Sequence, residues 1–258
     1  MRKSDEHARF GAAAIAHLKG QLPNPFPRTM GPRAMQYLQE VVDSGLGGDM
    51  VSRFETAFAA TLGLKHCVAT PGCTPALAIL AAAFPFEPGD EIIVSPVTDY
   101  GTIQGLFRQG YLPVFPDTAP GTINFSAETI AACLSDRTRG ILCVHMTGLV
   151  CDMDPINELA AQRGLLVYED ACQAVLSTYK GRVAGTLGAA AGFSFDSEKT
   201  LGSDVGGCVV TDDDELAERL RFVGHSRGGR LHHVPGPVRR QRSGSPHGDS
   251  AHRQRRLR

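Results

Sequence analysis

The stretch RGILCVHMTGLVCDMDPINELAAQRGLLVYEDA, residues 139–171, decides the fold. RGILCVHM (139–146) is a near-continuous apolar run of strand length. DPINELAAQRG (154–164) reads as a helix stopped by Gly164, and LLVYEDA (165–171) is strand-like again. Strand, helix and strand in that order are a βαβ unit, which requires a parallel sheet with a crossover helix.

The same alternation extends in both directions. DEIIVSPV (90–97) follows the turn signal EPGD, TIQGLFRQG ends at Gly110, and YLPVFPD (111–117) is the next strand. Ser126 caps a helix in SAETIAACLS, while GFSFDS, GGCVVTDD and DDELAERLRFVG supply two more strands and a helix. The expected fold class is therefore α/β, a mostly parallel sheet with helices on both faces. In such sheets ligands bind beyond the carboxyl ends of the strands. Asp170 stands at one of these ends.

Bulk properties narrow the class. The 258 residues are 42% apolar and 21% charged, enough for one sizeable core. No apolar run is long enough to span a bilayer, and the N-terminus has no signal-peptide pattern, so a cytoplasmic protein is expected. The seven cysteines are scattered, and no Cys/His ligand spacing occurs. This predicts buried free thiols and no metal site. After Gly224 fall nine of the 26 basic residues and one of the 27 acids, leaving 17 bases against 26 acids before it. The body is acidic, and the tail 225–258 reads as a basic, disordered segment. The expected organisation is an N-terminal extension (1–27), a large domain (28–224) and that tail.

Four polar features fit one chemistry. Thr74, ahead of the apolar run ALAILAAAF, offers a hydroxyl and a helix N-terminus to a phosphate. Asp170 suits a partner for a protonated pyridine nitrogen. Lys199, 29 residues further on, suits Schiff-base formation and proton transfer. Tyr100 can stack on a ring. Together these are the parts of a site for pyridoxal phosphate (PLP).

These residues sit in blocks that resemble one family. PGDEIIVSPVTDYGTI, CDMDPINELAAQRGLLVYEDACQA, YKGRVAGTLG and FSFDSEKT follow the order of the DegT/DnrJ/StrS family of PLP-dependent sugar aminotransferases, over residues 28–224. The resemblance implies the large domain of a type I PLP transferase, with the small C-terminal domain absent. It implies that Lys199 forms the internal aldimine, Asp170 pairs the pyridine nitrogen and Gln173 contacts the 3-hydroxyl side. It also implies that Ser194 and the turn Gly72-Cys73-Thr74 hold the phosphate and that Tyr100 stacks on the ring. The implied reaction moves an amino group from glutamate or glutamine to a keto group of a nucleotide-linked deoxysugar or cyclitol, in a homodimer. The dehydratase branch's histidine-for-lysine exchange is not present, which favours transamination.

Some positions depart from the family pattern. Gly72 and Pro75 remove a hydroxyl and an amide from the phosphate turn, and Ala189 stands where an acid is usual. Two other readings stand beside the first: a catalytically inactive remnant of this fold, and a nucleic-acid binder acting through the arginine-rich tail. His145 reads as a hydrogen-bonded strand-end histidine, Cys172 as a packing residue and Glu169 as a strand-end charge.

Overall fold

The computed structural model describes residues 31–224. The N-terminal extension and the basic tail read from the sequence lie outside the described residues.

Seven strands form one sheet: β1 (His66–Thr70), β2 (Glu91–Val94), β3 (Leu112–Val114), β4 (Thr138–Val144), β5 (Leu166–Asp170), β8 (Ala191–Ser194) and β9 (Gly207–Thr211). A separate hairpin comprises β6 (Thr178–Tyr179) and β7 (Arg182–Val183). The order across the sheet is β1-β9-β8-β5-β4-β2-β3. β9 runs antiparallel to both β1 and β8, and every other neighbouring pair is parallel. The mostly parallel expectation holds. The reversed strand was not legible, because GGCVV is buried on both faces in either direction.

Helices cover both faces. Those that do are α2 (Met50–Leu62), α3 (Cys73–Ala83), α4 (Tyr100–Arg108), α5 (Ala127–Ala131), α6 (Met153–Arg163) and α7 (Asp214–Gly224), while α1 (Ala34–Asp43) has no buried residue. Side chains alternate along each strand, so neighbouring residues enter different layers. Val68, Ile92, Val94, Leu142, Tyr168 and Val209 pack with Leu77 and Leu80 of α3, Leu106 of α4 and Leu220 of α7. Their neighbours face the other way. Ile93, Ile141, Cys143 and Val167 meet Ile130 of α5 and Ile156 of α6, while Cys67, Cys208 and Val210 meet Phe58 of α2.

Local signals set the boundaries. Gly164 ends α6 at φ +64, a left-handed conformation that glycine adopts without a Cβ penalty. Ser126 opens α5 with a reciprocal capping box to Thr129. Every parallel strand delivers its last residue to one edge of the sheet.

Candidate active site

The pleat of β5 places two adjacent carboxylates in opposite layers. Asp170 shares the face of Tyr168, beneath α3 and α4. Glu169 shares the face of Val167, toward α6.

Asp170 is 6% exposed. Its Oδ2 accepts from the Thr102 hydroxyl at 2.7 Å, and its Oδ1 accepts from the Cys172 amide at 3.1 Å. Burial raises its pKa. The Thr102 hydroxyl, the Cys172 amide and the positive charges of His145 and Lys199 oppose that shift without cancelling it. The hydrogen bonds it accepts come from neutral groups. A buried carboxylate of this kind gains most from a cationic N–H donor brought in from outside.

The other predicted residues gather on the same edge. Gly72 is the N-cap of α3, and Cys73 and Thr74 occupy its first turn. The sequence reading began this helix slightly later. No side chain caps the α3 N-terminus, so its first amides remain free to meet an anion. Ser194 ends β8 and pairs with Gly207 of β9. A Cβ on Gly207 would lie 2.5 Å from the Gly72 carbonyl carbon, so glycine is what lets the α3 turn settle beside Ser194. A Cβ on Gly101 would likewise lie 2.5 Å from Thr74 Oγ1, which brings the starts of α3 and α4 together. Tyr100 opens α4 with its ring 65% exposed. Gln173 is exposed, and its Oε1 accepts from the Thr147 amide at 2.9 Å. Lys199 lies half-buried in the turn after β8, its amide donating to the Asp196 carbonyl, and its charge reaches Asp170.

One expectation about cysteine is corrected. Cys73 and Cys172 are joined as a disulfide, so they are not free thiols. The link also brings Cys73, Asp170 and Cys172 within 4.8 Å of one another, with both sulfurs taken up by the disulfide. Tertiary proximity over a separation of 99 residues has no signature in spacing.

Sequence reasoning also missed Thr102 and the role of Glu169. Thr102 was detectable as the polar residue two positions beyond Tyr100 at the same helix start. Glu169 is fully buried and accepts four hydrogen bonds. They come from His145 Nε2 at 2.8 Å and from the amides of Gly185, Leu187 and Gly188 at 2.6, 2.7 and 2.6 Å. It anchors the corner 185–188 from beneath the sheet. A cavity of about 450 Å³ is lined by Asn157, Ala160, Gly164, Leu166, Leu187 and Gly188. It lies at the opposite edge of the sheet, away from every candidate residue.

Comparison with known proteins agrees with this geometry. Residues 28–236 match the DegT/DnrJ/EryC1/StrS aminotransferase family, a match that runs past Gly224. The chain is 41% identical over 204 residues to the spore coat polysaccharide biosynthesis protein SpsC of Bacillus subtilis, covering 78% of this chain and 52% of that protein. It is 40% identical over 176 residues to the GDP-perosamine synthase of Caulobacter vibrioides, covering 68% and 47%. Among solved structures, a GDP-4-keto-6-deoxymannose-3-dehydratase with a trapped PLP-glutamate geminal diamine superposes with TM-score 0.74 at 30% identity, covering 78% and 54%. The chain thus spans about half the length of the relatives it matches. On the family match, the shared fold and the edge that collects Thr74, Asp170, Ser194 and Lys199, this chain belongs to the DegT/DnrJ/EryC1/StrS family of PLP-dependent aminotransferases.

Proposed function

We propose that this chain binds PLP through Lys199 and moves an amino group from glutamate or glutamine to a keto group of a nucleotide-linked deoxysugar or cyclitol. The observation that carries the reading is Asp170. It is a buried carboxylate with neutral hydrogen-bond donors, at the strand edge beside the turn that carries Lys199.

PLP, when bound, supplies an electron sink for breaking a C–H bond beside the amino nitrogen. The chain's residues do the rest. The free amides of α3, with the hydroxyls of Thr74 and Ser194, hold the phosphate. Gly72 leaves the backbone open to close approach. Asp170 keeps the ring nitrogen protonated, and Thr102 fixes the carboxylate's orientation. Tyr100 covers one ring face, and Gln173 contacts the 3-hydroxyl side. With PLP bound, the Lys199 amine would hold the cofactor and would accept and return the proton at the substrate's α-carbon. The relatives' names, a perosamine synthase and a keto-deoxymannose dehydratase, support a sugar-linked ketone as acceptor.

The test pairs PLP titration with glutamate turnover. The wild-type chain should develop the visible band of lysine-bound PLP and release 2-oxoglutarate stoichiometric with bound PLP. Asp170→Asn should weaken binding by about tenfold or more, because it removes a charge-assisted hydrogen bond worth roughly 1.5–3 kcal/mol. Equal binding by the variant would defeat the assignment.

A further inference from the structure

The Cys73–Cys172 disulfide occupies a particular place. Cys73 begins α3, the helix whose amides face the phosphate position, and Cys172 follows Asp170 by two residues. Their Cα atoms are 6.4 Å apart, inside the range that a disulfide spans. Both touch the carboxylate on the same side. The Cys172 amide donates to Asp170 Oδ1, and Cys73 Sγ lies 3.9 Å from that oxygen. A ring nitrogen must come within about 3 Å of the carboxylate to form its hydrogen bond. With both sulfurs within 4.8 Å of the carboxylate, the disulfide borders the approach a ring nitrogen must take to it.

Reactivity points the same way. A cysteine at a helix N-terminus is favoured as thiolate by the amides there, and Cys73 is only half-buried at the open edge. Cys172 is buried beside it as the resolving partner.

We infer that Cys73 and Cys172 form a reversible redox latch that closes the cofactor's ring site when oxidised and opens it when reduced. Closing removes two protons and two electrons from the thiols. With hydrogen peroxide as oxidant, two thiols and one peroxide give the disulfide and two waters. Opening takes a dithiol reductant: one thiolate attacks Cys73 Sγ and releases the Cys172 thiol, and the reductant's second thiol completes the exchange. The inference rests on the PLP reading above, and the experiment separates the two.

The full chain is reduced with dithiothreitol or oxidised with peroxide, freed of reagent, and titrated with PLP by absorbance and fluorescence. Thiols are counted by alkylation and mass spectrometry of the denatured chain. The reduced chain should alkylate at all seven cysteines and the oxidised chain at five, with Cys73 and Cys172 recovered as one linked peptide. PLP binding should be at least about tenfold weaker when oxidised. Cys172→Ala, which keeps the amide donor to Asp170, should bind PLP equally under both treatments, and Cys172→Ser provides the same check should the alanine variant fold poorly. Equal PLP binding by linked and reduced wild-type chain overturns the latch and leaves the PLP reading intact, as does failure of the linked peptide to form under peroxide. No PLP binding by the reduced chain or either variant overturns both.

Discussion

Glu169 and Asp170 are neighbours in sequence with opposite duties. Asp170 offers its carboxylate to the open edge. Glu169 is consumed internally by His145 and three amides of the corner 185–188. Glu169→Gln would keep one acceptor oxygen but set an NH2 group against two of the four donors and cost about 3–5 kcal/mol, read as a lower urea midpoint. An unchanged midpoint would contradict the anchoring role. His145 is fully buried. Burial opposes its charge, but the Cys151 sulfur and the Glu169 carboxylate outweigh it and raise its pKa to about 9. The Glu169 carboxylate, 2.8 Å from His145 Nε2, is the facing counter-charge. A raised histidine pKa stabilises the fold fully below about pH 6.5, and that contribution is lost as pH rises through about 9. Wild-type stability should therefore fall as pH rises from about 6.5 to 9. His145→Asn, less stable throughout, should flatten that slope; an unaltered slope would remove His145 from the explanation. The sequence disclosed His145 as a hydrogen-bonded residue, which the structure bears out. It did not disclose Glu169 as a hub, because three of its four donors are backbone amides with no residue-type signature.

At the scale of elements, the site depends on how closely α3 and α4 begin. Gly101 permits that approach by lacking a Cβ beside Thr74 Oγ1. Gly101→Ala should push the two helix starts apart and weaken PLP binding by about tenfold, with the far-ultraviolet spectrum unchanged. Undiminished affinity would show that Thr74 is not part of the phosphate cradle. The elements themselves were largely legible. Strands β4 and β5 are buried on both faces and read as continuous apolar runs, and α6 ends where Gly164 allows a left-handed turn. The two-residue strands β6 and β7 were invisible because they are too short for any period to show. The disulfide was invisible because its cysteines meet only after β1 and β5 enter the same sheet.

At the scale of the molecule, the three layers bury one core on each side of the sheet, yet one helix contributes nothing to either. Met35, Leu38 and Val42 lie along one face of α1, and all three are exposed. A contiguous apolar face open to water favours self-association. Leu38→Lys combined with Val42→Glu should reduce binding of a hydrophobic dye and lower the sedimentation-average mass while leaving the unfolding midpoint in place. A large fall in the midpoint would mean that α1 is packed within the chain. The role of Lys199 is open to one direct measurement. The reduced chain is incubated with PLP, the link is locked with borohydride, and the labelled peptide is mapped by mass spectrometry. The account predicts a single pyridoxyl label on Lys199, absent in Lys199→Ala. A label on another lysine, or one that survives the Lys199→Ala substitution, would contradict it.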